Sequence, residues 1–254
     1  MLLVIDLGNI NLKLGLYEGP KLVSHWRLAS DPARMPDEYG LQILNLLQLG
    51  GFAVNQIEGV ILACVVPVIG ERIAQTCQTY LNHNPLWVSS DLNLGIKVLY
   101  DDPHSVGADR LADAAAVWKL YGGPACIIDF GTATTFNALT ARGEYLGGAI
   151  MAGVGLSLDA LVRRAAKLPP VELKAPPSPI GTNTIQSIQS GLIYGFVGAV
   201  EGMITRYRAE LGPQTKVIAS GGLVNLIASQ TKAIQTIAPF LTMDGLRIIW
   251  ELNH

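Results

Sequence analysis

Long apolar runs, paired cysteines and an excess of charge of either sign are all missing from this 254-residue chain, and each absence removes a class of protein. The longest uncharged apolar run, Gly59 to Gly70, is too short for a membrane span and is broken by Pro67. Asp6 interrupts the N-terminal run before a signal-peptide core could form. A cytoplasmic protein without membrane association is therefore expected. Cys64, Cys77 and Cys126 are an odd count without paired spacing, and the four histidines are scattered, so neither a disulfide framework nor a zinc site is indicated. The cysteines are expected to serve packing. A net charge of −2 with no long basic run leaves Arg163, Arg164 and Lys167 as a solvated helix face, and no nucleic-acid partner is expected. What remains is ample apolar material: half of the residues are hydrophobic, enough to build one large domain or two modest ones.

Cys126 to Leu139, CIIDFGTATTFNAL, is the most informative stretch. An apolar run ends in Asp129, Gly131 follows, hydroxyls come at Thr132, Thr134 and Thr135, and the chain turns apolar again. This is the pattern of strand, tight turn, strand. It holds a carboxylate and several hydroxyls at a strand end, where the glycine lets a ligand approach the backbone, an arrangement suited to a nucleotide phosphate and its metal. No Gly-Lys-Ser/Thr follows and no helix opens there, which excludes a Walker loop, and the Rossmann glycine pattern is absent too. An ordinary hairpin rich in good strand formers reads the same way.

Met1 to Gly19 repeats the pattern: an apolar run ends in Asp6, Gly8 stands two residues on, Asn9 and Asn11 are small and polar, and a second alternating strand runs to Tyr17. Asp6 and Asp129 lie about half the chain apart, which points to an internal duplication in which two lobes each offer an acidic hairpin to a shared cleft. The arrangement resembles the actin, Hsp70 and sugar-kinase superfamily. The expected fold is α/β, with two ribonuclease-H-like lobes, residues 1–117 and 118–254, and a nucleotide cleft between them.

Between the hairpins the pattern predicts a strand over Lys21 to Arg27, a helix from Pro36 toward Gly50, strands at Gly59 to Val66, Leu86 to Ser89 and Gly95 to Tyr100, and a helix over Ile69 to Leu81. YDDPHSVGADRL, Tyr100 to Leu111, places Pro103 and Gly107 in a loop and starts a helix at Asp109 that runs to about Tyr121. Asp109 there reads as a general base for an alcohol and Arg110 as the clamp of a substrate carboxylate. Equally, Asp109 is an ordinary N-terminal helix charge. After the second hairpin come a glycine-rich strand, a helix from about Ser157, and the proline-dense Lys167 to Gly181, expected to be an extended, exposed connector. Thr182 or Thr184 is expected to cap a long helix that buries Ile188, Leu192, Phe196, Val200 and Ile204. Its Gly191, Gly195, Gly198 and Gly202 allow close approach, to the lobe's own core or to a second subunit. Val217 to Ala219 is expected to be a strand, followed by Ser220, Gly221, Gly222 and a helix over Leu223 to Ala228; a glycine turn there suits an adenosine, as a weak signal.

DLGN at Asp6 to Asn9, GADR at Gly107 to Arg110, DFGTATT at Asp129 to Thr135, GTNT at Gly181 to Thr184 and SGG at Ser220 to Gly222 together resemble the type III pantothenate kinase family, across nearly the whole chain. The resemblance implies ATP-dependent phosphorylation of pantothenate, the first step toward coenzyme A, by a homodimer using Mg²⁺ and a monovalent cation such as K⁺ or NH4⁺. It implies Asp109 as proton acceptor, with Tyr100, Gly107, Ala108, Asp109, Arg110 and Thr184 contacting pantothenate. It further implies an ATP-phosphate site made by Asp6, Leu7, Gly8, Asn9, Ile10, Asn11, Leu12, Lys13 and Thr132. Asp129 is implied to ligate K⁺, and Asp6 to be a ligand for Mg²⁺. Three departures are visible: Ile10 where threonine is usual, Ala152 where proline is usual and Asn137 where aspartate is usual. Two other readings stay open, a non-catalytic accessory-type protein of the same fold and a kinase of another small hydroxy acid.

Overall fold

The apolar run after Met1 becomes β1 (Leu2–Leu7), buried from Leu3 to Leu7, and it is the middle strand of a sheet. It pairs antiparallel with β2 (Asn11–Glu18), which pairs antiparallel with β3 (Lys21–Ala29). On its other side it pairs parallel with β4 (Gly59–Cys64), which carries the short β5 (Leu86–Trp87). The order is β3-β2-β1-β4-β5. α1 (Pro36–Leu49) begins where proline sets the helical φ and Glu38 reaches back to the Met35 N–H at 2.8 Å. It buries Tyr39, Ile43 and Leu47 in the same core as Leu3, Ile5 and Leu7.

The computed structural model describes residues 1–254, which divide into two compact units: Met1–Leu120 with Leu241–His254, and Tyr121–Phe240. The second unit repeats the first unit's plan. β7 (Ala125–Phe130) lies in the middle, antiparallel to β8 (Ala133–Leu139), which pairs antiparallel with β9 (Glu144–Ala152); on the other side β7 runs parallel to β10 (Lys216–Ser220), which carries β11 (Thr236–Ile237). The unit's own strands thus run β9-β8-β7-β10-β11, the same sequence of antiparallel and parallel neighbours as in the first sheet. α5 (Thr184–Leu211) covers this sheet, and Ile188, Leu192, Phe196, Val200 and Ile204 are all in its core, as the spacing predicts.

Several details differ from the sequence reading. Gly95 to Tyr100 yields only β6 (Lys97–Val98). The helix expected over Ile69 to Leu81 is α2 (Pro67–Thr76) followed by a wider turn, Cys77–Leu81, ended by Asn82 at φ 59°. α4 (Val154–Arg164) starts before Ser157, because Gly153, anchored by its N–H on the Thr132 carbonyl at 3.0 Å, already accepts the first helical bond from Ser157. The cap of α5 is Asn183, whose Oδ1 accepts the Gln186 N–H at 3.0 Å, so neither Thr182 nor Thr184 caps it. The proline-dense segment is extended but not free: the Gln189 amide and Tyr194 hydroxyl of α5 each donate to it at 2.9 Å, on the carbonyls of Glu172 and Pro176, and Pro176 is buried.

The division into units also departs from a cut at 117/118, because α7 (Leu241–Asn253) groups with the first unit. Its partners explain why: the Thr242 hydroxyl donates to buried Asp113 at 2.7 Å, and the Tyr17 hydroxyl donates to Asp244 at 2.8 Å. Asp113 lies on α3 (Ala108–Tyr121), a helix whose alanines are buried from Ala112 to Ala116. At Gly245 the two helices pass so closely that a Cβ would stand 2.0 Å from the Ala112 carbonyl oxygen. Gly245→Ala is therefore expected to destabilise the protein by about 1–3 kcal/mol, overpacking outweighing the gain of about 1 kcal/mol in helix propensity. A thermal melt checks it, and a raised melting temperature would show that α3 and α7 separate freely.

Candidate active site

Asp6 is the penultimate residue of β1 and Asp129 the penultimate residue of β7, so each central strand carries a carboxylate to the same place in its sheet. Asp6 is only 5% exposed, and burial of an unpaired carboxylate would be costly. The β1–β2 register puts Lys13 directly opposite, with its Nζ 2.8 Å from Asp6 Oδ2. The connecting turn is tied by its main chain: the Gly8 N–H donates to the Asn11 carbonyl at 3.0 Å, the Ser30 N–H to the Ile10 carbonyl at 2.9 Å, and the Ser30 hydroxyl to the Gly8 carbonyl at 2.7 Å. Leu7 and Leu12 are wholly buried, so any ligand contact from them comes from the main chain. Asn9 is exposed, Asn11 half-buried, and the Ile10 side chain is 58% exposed, which rules out a core role for it.

Asp109 opens α3 in the same unit. Its Oδ1 accepts the Arg110 N–H at 2.9 Å, and Gly107 leaves room for it, since a Cβ there would lie 2.6 Å from that oxygen. Dehydration pushes the Asp109 carboxyl above its ordinary range and the negative charge of Asp6 pushes it further; the Arg110 N–H and the Arg110 charge oppose both. Asp6, Lys13 and Asp109 are thereby brought into one electrostatic neighbourhood. Arg110 is buried, Ala108 points its methyl into the core, and Tyr100 is half-buried in the preceding loop. A raised carboxyl at a helix start, beside a buried guanidinium, is equipped to take a proton.

In the second unit the β7–β8 turn exposes Thr132, with Asp129 half-buried behind it. Register places Thr135 and Ser220 on either side of Asp129, where the first unit has Lys13 and Ala63 beside Asp6. Thr184 is exposed at the first residue of α5. Asn137, at the position of one departure, is buried and accepts the Tyr145 hydroxyl at 3.0 Å. No group of three or more His, Cys, Asp or Glu side chains is arranged to hold a metal. A lone carboxylate can still serve a hard cation such as Mg²⁺, which is usually bound by one or two carboxylates together with substrate phosphates. Ser30 was not legible as a site residue, because its role depends on the β2–β3 register that carries it under the Gly8–Ile10 turn.

Comparison with known proteins now gives these residues a context. A family model described as Type III pantothenate kinase matches residues 2–206. A type III pantothenate kinase from Roseiflexus castenholzii is 49% identical over 254 residues, covering 100% of both chains, and one from Moorella thermoacetica is 48% identical over 253 residues, also covering 100% of both. Among solved structures, a putative Baf family transcriptional activator from Campylobacter jejuni is similar at TM-score 0.61 and 17% identity, covering 98% of this chain and 97% of that one. A putative N-acetylglucosamine kinase from Porphyromonas gingivalis is similar at TM-score 0.51 and 12% identity, covering 100% of both, a likeness of fold alone.

The Asp109 environment has a measurable consequence for stability. A carboxyl whose folded pKa is raised contributes stability that is present below the unfolded pKa, about 4, and is lost as pH rises through the folded pKa. At pH 7 the group therefore opposes folding. Asp109→Asn, whose amide oxygen can still accept the Arg110 N–H, is expected to raise the melting temperature at pH 7, with the gain shrinking to nothing on acidification below the ordinary carboxylate range. A variant that melts lower at pH 7 would show that Asp109 is a helix-capping charge after all.

Proposed function

Because this chain belongs to the type III pantothenate kinase family, which phosphorylates pantothenate with ATP in coenzyme A biosynthesis, we propose how its own residues perform that reaction. The observation that carries the proposal is the Asp109 carboxyl, raised by burial and by Asp6 at the start of α3. Phosphoryl transfer asks little covalent work of a protein and much positioning and charge compensation. Asp109 accepts the proton of the pantothenate hydroxyl as that oxygen attacks the γ-phosphorus of ATP and the bond from that phosphorus to the β,γ-bridging oxygen breaks, releasing ADP. Its raised pKa makes it a stronger base than an ordinary carboxylate. Arg110 holds the pantothenate carboxylate, and Tyr100, Gly107, Ala108 and Thr184 complete the acceptor contacts.

The Gly8–Asn11 turn and Thr132 hold the ATP phosphates, the former through main-chain groups that Ser30 keeps in place. Lys13 adds a positive charge at the same turn. Asp6 is the proposed ligand for Mg²⁺ and Asp129 for K⁺ or NH4⁺; both fit on donor chemistry, as oxygen ligands for hard cations. Bound there, these cations would neutralise charge on the transferring phosphoryl group. A cytoplasmic homodimer completes the proposal, with α5 as its seam. Along that helix no atom outside the helix's own neighbouring backbone lies within 4 Å of where a Cβ at Gly191, Gly195 or Gly198 would stand, so the core reading of this glycine face does not hold.

An assay of ADP release with pantothenate tests the assignment. Asp109→Asn is expected to keep pantothenate binding and to lower kcat by about 10²-fold or more, since the amide cannot take the proton. Arg110→Ala should chiefly weaken pantothenate binding, as read by calorimetry. Turnover of Asp109→Asn within a few-fold of wild type would remove Asp109 as the base.

The exposed Ile10 generates a further expectation. A threonine there offers a hydroxyl to a phosphate oxygen, and hydrogen bonds to charged groups contribute about 1.5–3 kcal/mol, roughly ten- to a hundredfold in ATP use. Ile10→Thr should raise kcat/KM for ATP and leave both KM for pantothenate and the melting temperature unchanged, because the side chain it replaces is 58% exposed. Steady-state kinetics with an unchanged kcat/KM for ATP would show that position 10 faces away from the phosphates.

A further inference from the structure

The turn after β10 does something for Asp129 that its glycine pattern does not announce. β10 runs parallel to β7 with Ser220 opposite Asp129, so the next residue, Gly221, stands beside the end of β7. Gly221 has φ +100°, and a Cβ on it would lie 2.6 Å from Asp129 Oδ1 and 2.5 Å from the Phe130 nitrogen. On the other side of the carboxylate, a Cβ on Gly131 would lie 3.0 Å from Asp129 Oδ2. Both carboxylate oxygens are thus flanked by bare α-carbons, one from each of two turns. Gly222, the other glycine of the pair, has nothing within 4 Å of its Cβ position. The two adjacent glycines are therefore not equivalent: one is required by close approach, the other is not.

We propose that Gly221 is a positioning residue for the monovalent-cation site, forming with Gly131 a two-walled slot that fixes the Asp129 carboxylate in the orientation that receives the ion. The inference rests on the reading of Asp129 as the cation ligand. A free aspartate rotates about two side-chain bonds, and a ligand must meet the cost of stopping that rotation; a carboxylate already held in place lowers that cost. A methyl group at 221 or 131 takes up space now held by an oxygen, so the carboxylate swings and the ion loses a preset partner. The closer intrusion at 221 should act more strongly than the 3.0 Å contact at 131.

The test is a KCl titration at constant ionic strength, balanced with NaCl, on wild type and on Gly221→Ala, Gly131→Ala, Gly222→Ala and Asp129→Asn. Two readouts are followed: ADP release, and the K⁺-dependent rise in melting temperature with a non-hydrolysable ATP analogue present. Gly221→Ala is expected to raise the half-saturating K⁺ concentration by on the order of tenfold in both readouts, equivalent to about 1.4 kcal/mol. Gly131→Ala should raise it less, and Gly222→Ala should keep the wild-type value. Variants at 221 and 131 that melt lower yet respond at the wild-type K⁺ concentration would overturn the inference, leaving these glycines a purely structural role. Should Gly221→Ala not fold, the Gly131→Ala titration decides alone. A wild-type protein indifferent to K⁺ over Na⁺, or an Asp129→Asn variant that responds like wild type, would instead overturn the reading of Asp129 itself and the inference with it.

Discussion

A carboxylate one residue short of the end of a buried central strand is the constraint on which both units depend. A strand flanked on both sides offers its aspartate neighbours only from the two adjacent strands and the turns that leave them. The first unit answers with charge, setting Lys13 opposite Asp6 at 2.8 Å. The second answers with small polar neighbours, Thr135 and Ser220, and with glycines at the two turns. The same strand order therefore carries two acidic hairpins with different cross-strand neighbours, a lysine in one and a threonine and a serine in the other. Duplication supplied the frame; the residues opposite the aspartates differentiate it.

Asp109 and Arg110 of the first unit rest on a helix pair and not on the sheet alone. α3 presents Asp109 at its start, and five of its nine buried residues are alanine, so it has few long side chains with which to grip a neighbour. α7 supplies the grip: the Thr242 hydroxyl on Asp113, and Gly245 against the Ala112 carbonyl, bring the two backbones close. α7 is in turn fixed to β2 through the Tyr17 hydroxyl on Asp244. A chain of short polar contacts thus runs from the sheet through the last helix to the helix that carries Asp109. Small residues permit the approach, and buried hydrogen bonds set its register.

Much of this was legible in the sequence, and what was not has a common cause. Strands β1, β2, β7, β8 and β10 and the core face of α5 follow from periodicity, because period 2 and period 3.6 are local properties. Asp6, Asp109 and Asp129 were legible because each sits at a punctuated strand or helix end. The return of α7 to the first unit was not, since an amphipathic helix declares that it packs but not on which sheet. Asn183 outcompeted two neighbouring threonines as the α5 cap, a choice decided by main-chain angles that composition does not encode. Ser30 and Gly221 act across strands, so their roles exist only once β3 and β10 are in register with their neighbours.

Ile10 illustrates how a departure from a family pattern can be tolerated within a turn. Every bond that shapes the Gly8–Asn11 turn uses the main chain or Ser30: the Gly8 N–H, the Ile10 carbonyl, the Ser30 N–H and the Ser30 hydroxyl. None uses the side chain at position 10, which stands out into solvent. The turn's shape is therefore independent of what that side chain is, and the main-chain donors it presents persist when a hydroxyl is exchanged for an ethyl group. An apolar β-branched residue in an exposed turn adds no core burial, so no gain in stability accounts for its presence there. The position is open to chemical change without structural change, which separates it from Asp6 four residues earlier, where the sheet itself depends on the charge being paired.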